Sequence, residues 1–238
     1  TGVQTCALPI YFVSKKFKYI IEKNGADSIG ALASPNSTCE EFYLLQKILR
    51  SLGSNNLDHR INQIDFKNQD NMPIFNGIDI GFDEFDNLDS VLVIGSDIVK
   101  DHPVIGLKLR RILNNGGNIF TINPVDFEFF MTVSNKILVN PRDFIYTLAC
   151  LIKNCLKFNN DFSDKNVIDF LSNLSNYEKY FEFAEKFFNS KRKLILIGSY
   201  VVYSPDYSKI LYLSNILSKI TKSHFGVLTE IGRAHVWT

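Results

Sequence analysis

The sequence has few cysteines, almost no net charge and no long apolar run, and these features rule out several classes of protein. Its 238 residues contain 26 Lys and Arg against 25 Asp and Glu, so we expect neither nucleic acid nor an anionic membrane surface as a partner. No apolar run approaches the roughly 20 residues that a membrane-spanning helix needs. Neither GxGxxG nor GxxxxGKS/T occurs, so the common phosphate-binding motifs are missing.

The two ends of the sequence share no pattern with the region between them, and one DNA segment could explain both. Codons for IGRAHVW, residues 231–237, can be chosen so that their reverse complement encodes QTCALPI, residues 4–10, as a sequencing adapter would. We therefore expect residues 1–10 and 231–238 to be assembly scars, with Cys6, His235 and Trp237 carrying no function. The natural chain would then extend beyond both ends. The alternative is a pair of ordinary tails.

The composition between these ends predicts an intracellular globular protein. Removing Arg233 with the second scar lowers Lys plus Arg from 26 to 25, which equals the 25 Asp and Glu. Three cysteines remain, Cys39, Cys150 and Cys155, and an odd, scattered set is typical of a reducing compartment. Hydrophobic content of 45% and aromatic content of 13% allow a sizeable core in one or two domains.

One stretch, residues 91–123, contains a complete strand, helix and strand. Val91–Ile94 is a short β-branched run that suits a buried parallel strand. Pro103 opens a helix, and Gly116 with Gly117 closes it before a second strand at Ile119–Ile122. The apolar face of the helix consists of Ile105, Leu109, Ile112 and Leu113. The stretch therefore predicts a βαβ unit.

Similar residues that start and end helices and strands predict the remaining elements. Strands are expected at Ser28–Ala33, Lys136–Val139, Leu194–Ile197 and His224–Leu228. Helices are expected at Tyr11–Lys23, from a Ser37/Glu40 capping box to Leu52, from Pro141 to Leu156, at Val167–Asn189 with a break near Ser175, and from Ser204 and Pro205 to Ile220. Ser54–Asn87 is expected to be a long irregular segment, which mildly favours a functional role, and Asn159–Lys165 a weak polar linker.

This order predicts a layered α/β fold, a mostly parallel sheet with helices on both faces. Ligands bind at the carboxyl ends of such strands, so the loops at Ser34–Ser37, Gly95–His102 and Gly198–Ser204 should converge there around a nucleotide-like cofactor. A Gly-Ser pair after a strand is nevertheless more typical of a tight turn than of a phosphate cradle.

Two blocks resemble a known family. IGALASPNSTCEEFYLLQKILRSLGSNNLDHR (29–60) and VLVIGSDIVKDHPVIGLKLRR (91–111) are similar to the large iron-sulfur subunit of bacterial NADH-quinone oxidoreductase, respiratory complex I. The resemblance lies in that subunit's large C-terminal domain, which belongs to the molybdopterin oxidoreductase superfamily, and it covers nearly the whole chain between the ends. It implies the Rossmann-like units of the molybdopterin oxidoreductase fold.

The sequence departs from active members of that superfamily. The resemblance places Ile64 where they have the Cys or selenocysteine that ligates molybdenum, and an alkyl group offers a metal no lone pair. Asn62 stands where an arginine is usual, Asp97 where Asn is common, and Asn123-Pro124-Val125 lacks the arginine of Asp-Pro-Arg. The resemblance therefore implies a domain with no bound cofactor, metal or catalytic residue. Its vestigial loops would include Ser34, Asn36, Asn55, Asn56, Gly95, Ser96 and His102.

The function implied by this resemblance is structural. The domain would support electron transfer from NADH to quinone in the assembled proton-translocating complex, and iron-sulfur clusters would lie in a missing N-terminal part of the subunit. Its partners would be other peripheral-arm subunits on the cytoplasmic side of the bacterial inner membrane, without insertion into it. One alternative is a molybdopterin-dependent oxidoreductase of the formate dehydrogenase type with an unusual metal ligand. Another is a free nucleotide-binding module.

Several reactive residue types have plainer interpretations. Asp58-His59 and Asp101-His102 are adjacent in sequence and seldom converge as acid/base pairs, so His102 before Pro103 is expected at a turn or helix cap. Cys150 and Cys155 are expected to be packing residues, and Cys39 to lack a reactive role. The run of Lys191, Arg192 and Lys193 is expected to be solvated rather than a phosphate site.

Overall fold

The computed structural model describes residues 2–34, 37–59, 65, 67, 77–159, 162–175 and 177–228, with side chains for all of these except 2–7 and 166. These residues divide into two compact units, one formed by the described residues up to His59 and the other by those from Asp65 to Leu228. In the described part of the chain, no helix combines the length and hydropathy that a membrane span needs.

The first unit consists of two helices and two short strands. They are α1 (Gly2–Asn24), β1 (Ala31–Leu32), α2 (Cys39–Ser51) and β2 (Leu57–Asp58). The predicted helix at Tyr11–Lys23 is confirmed, and α1 also extends upstream with Pro9 inside it. The two strands pair in parallel with Ala31 opposite Leu57, so the predicted strand at Ser28–Ala33 is reduced to two residues and belongs to a sheet of its own.

The predicted cap of α2 is displaced by one residue. Thr38, rather than Ser37, is the N-cap, because its Oγ1 accepts from the Glu41 backbone N–H at 3.3 Å while Glu41 Oε2 accepts from the Thr38 N–H at 2.8 Å. Both Ser37/Glu40 and Thr38/Glu41 have capping-box spacing, so the pattern could not choose between them. Leu49 is the buried residue of α2, whereas Ile48 of the predicted apolar face is 50% exposed.

The second unit is built on a five-stranded parallel sheet with the order β5-β4-β3-β6-β7. The strands are β3 (Ser90–Ile94), β4 (Asn118–Asn123), β5 (Asn135–Leu138), β6 (Lys193–Ile197) and β7 (His224–Val227). The helices are α3 (Ile98–Asp101), α4 (Pro103–Asn114), α5 (Phe144–Leu156), α6 (Lys165–Ser172), α7 (Phe181–Asn189), α8 (Ser199–Val202) and α9 (Tyr207–Thr221). The predicted layered α/β class is therefore confirmed.

The βαβ prediction for residues 91–123 is also confirmed. Pro103 occupies the first turn of α4, and Gly116 with φ 84° follows the helix before β4 begins. Every residue of β3 is buried. Its alternate side chains enter two different cores: Leu92 packs among residues of α5, α7 and α9, while Val91 packs against α4. Helices therefore cover both faces of the sheet, as predicted.

Two boundaries differ from the prediction. The last long helix starts at Tyr207, and its N-cap residue is Asp206 rather than Ser204. Ser204 Oγ instead accepts from the Asp206 N–H at 3.3 Å in the preceding turn.

The segment 54–87, predicted to be irregular, contains β2 and a 3₁₀ helix at Phe82–Asn87. The break near Ser175 is confirmed, because α6 ends before it and α7 begins after it.

The two cysteines of α5 pack in the core. Cys150 is 0% and Cys155 1% exposed, which confirms the packing interpretation. Burial raises the pKa of the Cys155 thiol to about 12, so the sulfur stays protonated at neutral pH. Asn159, at the start of the predicted linker 159–165, donates from Nδ2 to the Ile220 carbonyl oxygen at 2.8 Å. Residues 160 and 161 lie outside the described residues.

Candidate functional site

The carboxyl ends of β3 and β6 form the topological switch point of the sheet. The chain runs from β3 outward to β4 and β5, and then returns to β6 on the other side of β3 before reaching β7. At such a point the chain continues from two neighbouring strands in opposite directions. Open α/β sheets bind their ligands between the two loops that follow these strands. Gly95–Asp97 follows β3 and Gly198 follows β6, so two of the three predicted loops do meet there.

Glycine lets these two loops touch. Gly95 has φ 67°, and a Cβ at that position would lie 2.5 Å from Val201 Cγ2. A Cβ at Gly198 would lie 2.6 Å from the Gly95 carbonyl oxygen. The Gly198 N–H donates to the Ile94 carbonyl at 2.8 Å, and the Tyr200 N–H donates to the Gly95 carbonyl at 3.0 Å. At each glycine, atoms of the other loop occupy the space that a side chain would need. The two Gly-Ser pairs therefore form tight turns rather than a phosphate cradle.

Asp101 joins the two loops through serine hydroxyls. Its Oδ2 accepts from Ser96 Oγ at 3.1 Å and from Ser199 Oγ at 3.0 Å. Ser96 belongs to the β3 loop and Ser199 to the β6 loop, although they are 103 positions apart in sequence. A charged acceptor makes these hydrogen bonds stronger than neutral ones. Asp101 therefore acts as a positioning residue.

Asn123 holds the backbone of Ser96 from the neighbouring strand. As the last residue of β4, it is 2% exposed. Its Oδ1 accepts from the Ser96 N–H at 2.9 Å, and its Nδ2 donates to the Ser96 carbonyl at 3.3 Å. The amide thus satisfies both backbone groups of a buried loop residue, which fixes the path of the chain towards Asp97.

Asp97 presents a carboxylate oxygen whose hydrogen-bonding capacity is not used. Its side chain is only 7% exposed, and Oδ2 pairs with Lys100 Nζ at 3.2 Å. Its Oδ1 is buried, and no donor among the described residues reaches it. A buried carboxylate oxygen without a donor is costly, so this atom is suited to accept from an N–H or O–H group of a ligand.

The arrangement favours a donor-bearing ring over a phosphate at the switch point. The N–H groups of Gly95, Ser96 and Gly198 already donate to Ile122, Asn123 and Ile94. A phosphate needs such N–H groups to be unoccupied, and it would be repelled by the carboxylates of Asp97 and Asp101. A heterocycle with ring N–H or amino groups matches the Asp97 oxygen.

The predicted site residues are divided between the two units. In the second unit, Gly95 and Ser96 lie at the switch point. His102 is the N-cap residue of α4, where its carbonyl accepts from the Gly106 N–H at 3.0 Å, so the cap prediction is confirmed. In the first unit, Ser34 follows β1, which pairs with β2 and not with the large sheet. The loop at Ser34 therefore does not follow a strand of the large sheet, whereas the loops at Gly95 and Gly198 do.

The asparagines of the first unit have mainly structural contacts. Asn56 Nδ2 donates to the Asp27 carbonyl at 2.6 Å, and its N–H donates to the buried Ser54 Oγ at 3.2 Å. Asn55 is exposed beside it. Three other predicted positions lie outside the described residues: Asn36, Asn62 and Ile64. The adjacent Asp58 and His59 side chains are 4.0 Å apart, from Oδ1 to Nδ1.

Sequence reasoning missed the residues that hold the switch point together. Asp97 and Asn123 stand out in the sequence only as departures from a family pattern, and Asp101 is discounted there because it adjoins His102. Its real partner, Ser199, lies 98 positions away, a separation that no local motif encodes. Their position in the sequence could have identified them as candidate site residues, because each follows the end of a predicted strand within seven residues.

The five-stranded parallel sheet, with its switch point between β3 and β6, defines an open α/β fold. A family model described as Molybdopterin oxidoreductase matches residues 10–227. The chain therefore belongs to the molybdopterin oxidoreductase family.

Individual relatives agree with this assignment. The chain is 30% identical to the "Probable oxidoreductase YjgC" of Bacillus subtilis over 56% of this chain and 14% of that protein. It is 24% identical to the "F420-dependent formate dehydrogenase subunit alpha" of Methanocaldococcus jannaschii over 82% of this chain and 30% of that protein. The chain thus spans less than a third of the length of these relatives.

A solved structure shares the fold. Acetylene hydratase from Pelobacter acetylenicus superimposes with a TM-score of 0.55 and 13% sequence identity, covering 88% of this chain and 31% of that one.

The family name implies a molybdopterin, and the residues of the switch point fit its ring better than its phosphate. The pterin ring carries N–H donors that suit the unpartnered Asp97 Oδ1. Within the described residues, no group of three or more His, Cys, Asp or Glu side chains is arranged to hold a metal ion.

Proposed function

We propose that this chain is part of a molybdopterin-dependent oxidoreductase of the formate dehydrogenase type. The observation that supports this proposal most directly is the buried Asp97 Oδ1 at the switch point, which lacks a hydrogen-bond donor among the described residues. The similarity to a formate dehydrogenase subunit over 82% of the chain supports the same proposal. Molybdopterin, when bound, supplies a metal centre that exchanges electrons with a substrate.

The residues of this chain would bind and orient the cofactor. Asp97 would accept a hydrogen bond from a ring N–H group, and Lys100 would keep its second oxygen in place at 3.2 Å. Asp101 would hold the two loops together, and Asn123 would hold the backbone of Ser96 beside them. Such support from packed neighbouring residues is what keeps a binding site within a fraction of an ångström of its working geometry.

A second candidate is the cofactor-free structural domain of the large iron-sulfur subunit in NADH-quinone oxidoreductase. Ile64 favours it, because the resemblance places this alkyl side chain at the metal-ligand position, and an alkyl group cannot ligate molybdenum. The absence of a cation in Asn123-Pro124-Val125 favours it as well. Its partners would be other peripheral-arm subunits on the cytoplasmic side of the inner membrane.

Counting cofactor in the native protein separates the two candidates. The protein would be purified from its own cells, molybdenum and tungsten measured by mass spectrometry, and oxidised pterin measured by fluorescence, each per chain. About one metal and a stoichiometric amount of pterin are expected for the first candidate. If the intact protein contained neither, the first proposal would be wrong and the second would remain.

Variants connect this result to the switch point. Asp97→Ala is expected to lower the pterin content, whereas Asp83→Ala, at an exposed position in the 3₁₀ helix, should leave it unchanged. Equal pterin content in both variants would show that the ring does not bind at Asp97.

A further inference from the structure

A cavity lies at the end of the sheet opposite the switch point. It has a volume of about 500 Å³ and is lined by Phe158, Asn159, Phe188, Lys191, Lys193, Ile220, Thr221 and Lys222. Lys193 is the first residue of β6 and Ile197 the last, so the length of the strand, about 13 Å, separates the cavity from the switch-point loops. Its volume falls in the range of small-molecule sites.

The cavity has a strong excess of positive charge. Three of its lining residues are lysines, and among the described residues that line it there is no Asp or Glu. Burial lowers the pKa of the Lys193 ammonium, and the nearby Asp89 carboxylate partly opposes that shift. Asp89 Oδ2 also accepts from the Arg192 N–H at 2.8 Å. Lys191 and Lys222 are exposed, and no described acidic side chain forms an ion pair with either of them. The opening is therefore cationic.

Lys193 is held rigidly in the wall of this cavity. It is 6% exposed, so the prediction of a solvated charge run is wrong for this residue. Its Nζ donates to the carbonyls of Phe188 at 2.9 Å and Ser190 at 2.6 Å, which are groups left unpaired at the end of α7. Two of the three ammonium donors are therefore held by protein carbonyls, which fixes the position of the charge in the cavity wall.

Lys222 occupies a conformation that costs free energy. It follows α9 with φ 54° and ψ 45°, the left-handed position where Gly or Asn is usual. The strain for a residue with a Cβ is about 1 kcal/mol. Strained residues are concentrated at functional sites, and here the strain coincides with an ammonium at the cavity edge.

Aromatic rings form the apolar part of the cavity. The Phe158 and Phe188 rings are 5.4 Å apart between centroids and tilted by 31°. Lys193 Nζ lies 5.5 Å from the Phe188 centroid, so the cationic and aromatic parts are adjacent. Rings of this kind stack with flat heterocycles.

We propose that this cavity binds a small organic anion that carries a flat ring, in the chemical class of a nucleoside monophosphate. The ring would pack on Phe158 and Phe188, and the anionic group would pair with Lys191, Lys193 and Lys222. The site is distinct from the switch point and does not depend on which cofactor binds there.

The test is calorimetric titration of the intact protein with adenosine monophosphate, with adenosine and inorganic phosphate as separate titrants. Saturable binding of the monophosphate that weakens with added salt, together with much weaker binding of either half, is the expected result. No saturable binding of the monophosphate would overturn the proposal. Equal binding of inorganic phosphate would also overturn it, because the rings would then contribute nothing.

Variants at exposed positions locate the binding. The double variant Lys191→Gln with Lys222→Gln is expected to weaken monophosphate binding by about tenfold or more, since it removes two charge-assisted contacts. Lys165→Gln, an exposed lysine at the start of α6, is the matched control and should bind as the unmodified protein does. Loss of affinity in the control equal to that in the double variant would contradict the assignment of this cavity.

Discussion

Replacing Gly198 by alanine should destabilise the second unit, because the two switch-point loops leave no room for a methyl group. A Cβ at Gly198 would lie 2.6 Å from the Gly95 carbonyl oxygen and 2.9 Å from Ser96 Cα, and closer still to Ser96 Cβ. These neighbours include backbone atoms that cannot rotate away. The β3 and β6 loops would therefore have to separate.

The expected loss follows from the contacts at this crossing. Overpacking of a buried position costs about 1–3 kcal/mol. Separating the loops would also strain the hydrogen bonds from Gly198 N–H to Ile94 and from Tyr200 N–H to Gly95, each worth about 0.5–1.5 kcal/mol. We expect the free energy of unfolding to fall by roughly 2–6 kcal/mol, a large part of the about 5–15 kcal/mol typical of a folded protein.

Urea unfolding followed by circular dichroism measures this loss, with Gly81→Ala as the control. The nearest atom to a Cβ at Gly81 is Glu84 Cγ at 3.9 Å, and its φ of −64° suits any residue. Both substitutions stiffen the unfolded chain equally, so that contribution cancels between the two variants. Gly198→Ala should unfold at a urea concentration lower by about 1 M or more. If both variants had the same midpoint, the close approach of the loops would be refuted.

Three further expectations concern single residues of the same unit. Asp65→Ala should lower stability by about 1–2 kcal/mol in urea unfolding, because Asp65 Oδ2 accepts from the N–H and Oγ of Ser208 at 3.1 and 2.5 Å and so caps α9. Burial tends to raise the pKa of Asp65, but these hydrogen bonds outweigh it and hold the pKa below its ordinary value, so this contribution should be present at neutral pH and be lost in acid. Asp101→Ala should cost about 1–3 kcal/mol by releasing two serine hydroxyls, whereas Asp101→Asn, which keeps an acceptor, should cost less in the same assay. Burial raises the pKa of Cys155 from 9.0 to about 12, so its contribution to stability should be full below pH 9 and decline above it, and iodoacetamide should modify Cys155 at pH 8 only after unfolding, as peptide mass spectrometry would show.

Local signals in the sequence were sufficient for the strands and most of the long helices of the second unit, although not for every boundary or for the short helices. The β-branched run at Val91–Ile94 had to be buried on both faces, and Pro103 with Gly116 marked the ends of one helix. These signals depend on dihedral preferences and on the spacing of apolar side chains, which a short stretch carries without help from distant residues. The parallel α/β class followed because such units can pack only with helices on the sheet faces.

The order of the strands, in contrast, emerged only from the folded chain. The sequence did not show that β6 pairs with β3, or that β1 pairs with β2 in a separate sheet. Strand pairing is a competition among distant segments, and hydrophobic periods of similar strength do not rank the partners.

The candidate site depended on the same long-range choice. Gly95 and Ser96 were predicted from their place after a strand, but their contact with Gly198 and Ser199 exists only because β3 and β6 are neighbours. The same pairing brings Ser199 to Asp101, and the burial of Lys193 likewise needs the end of α7 beside the start of β6. Local sequence specifies which groups a loop offers, whereas the packing of remote elements decides which of those groups meet.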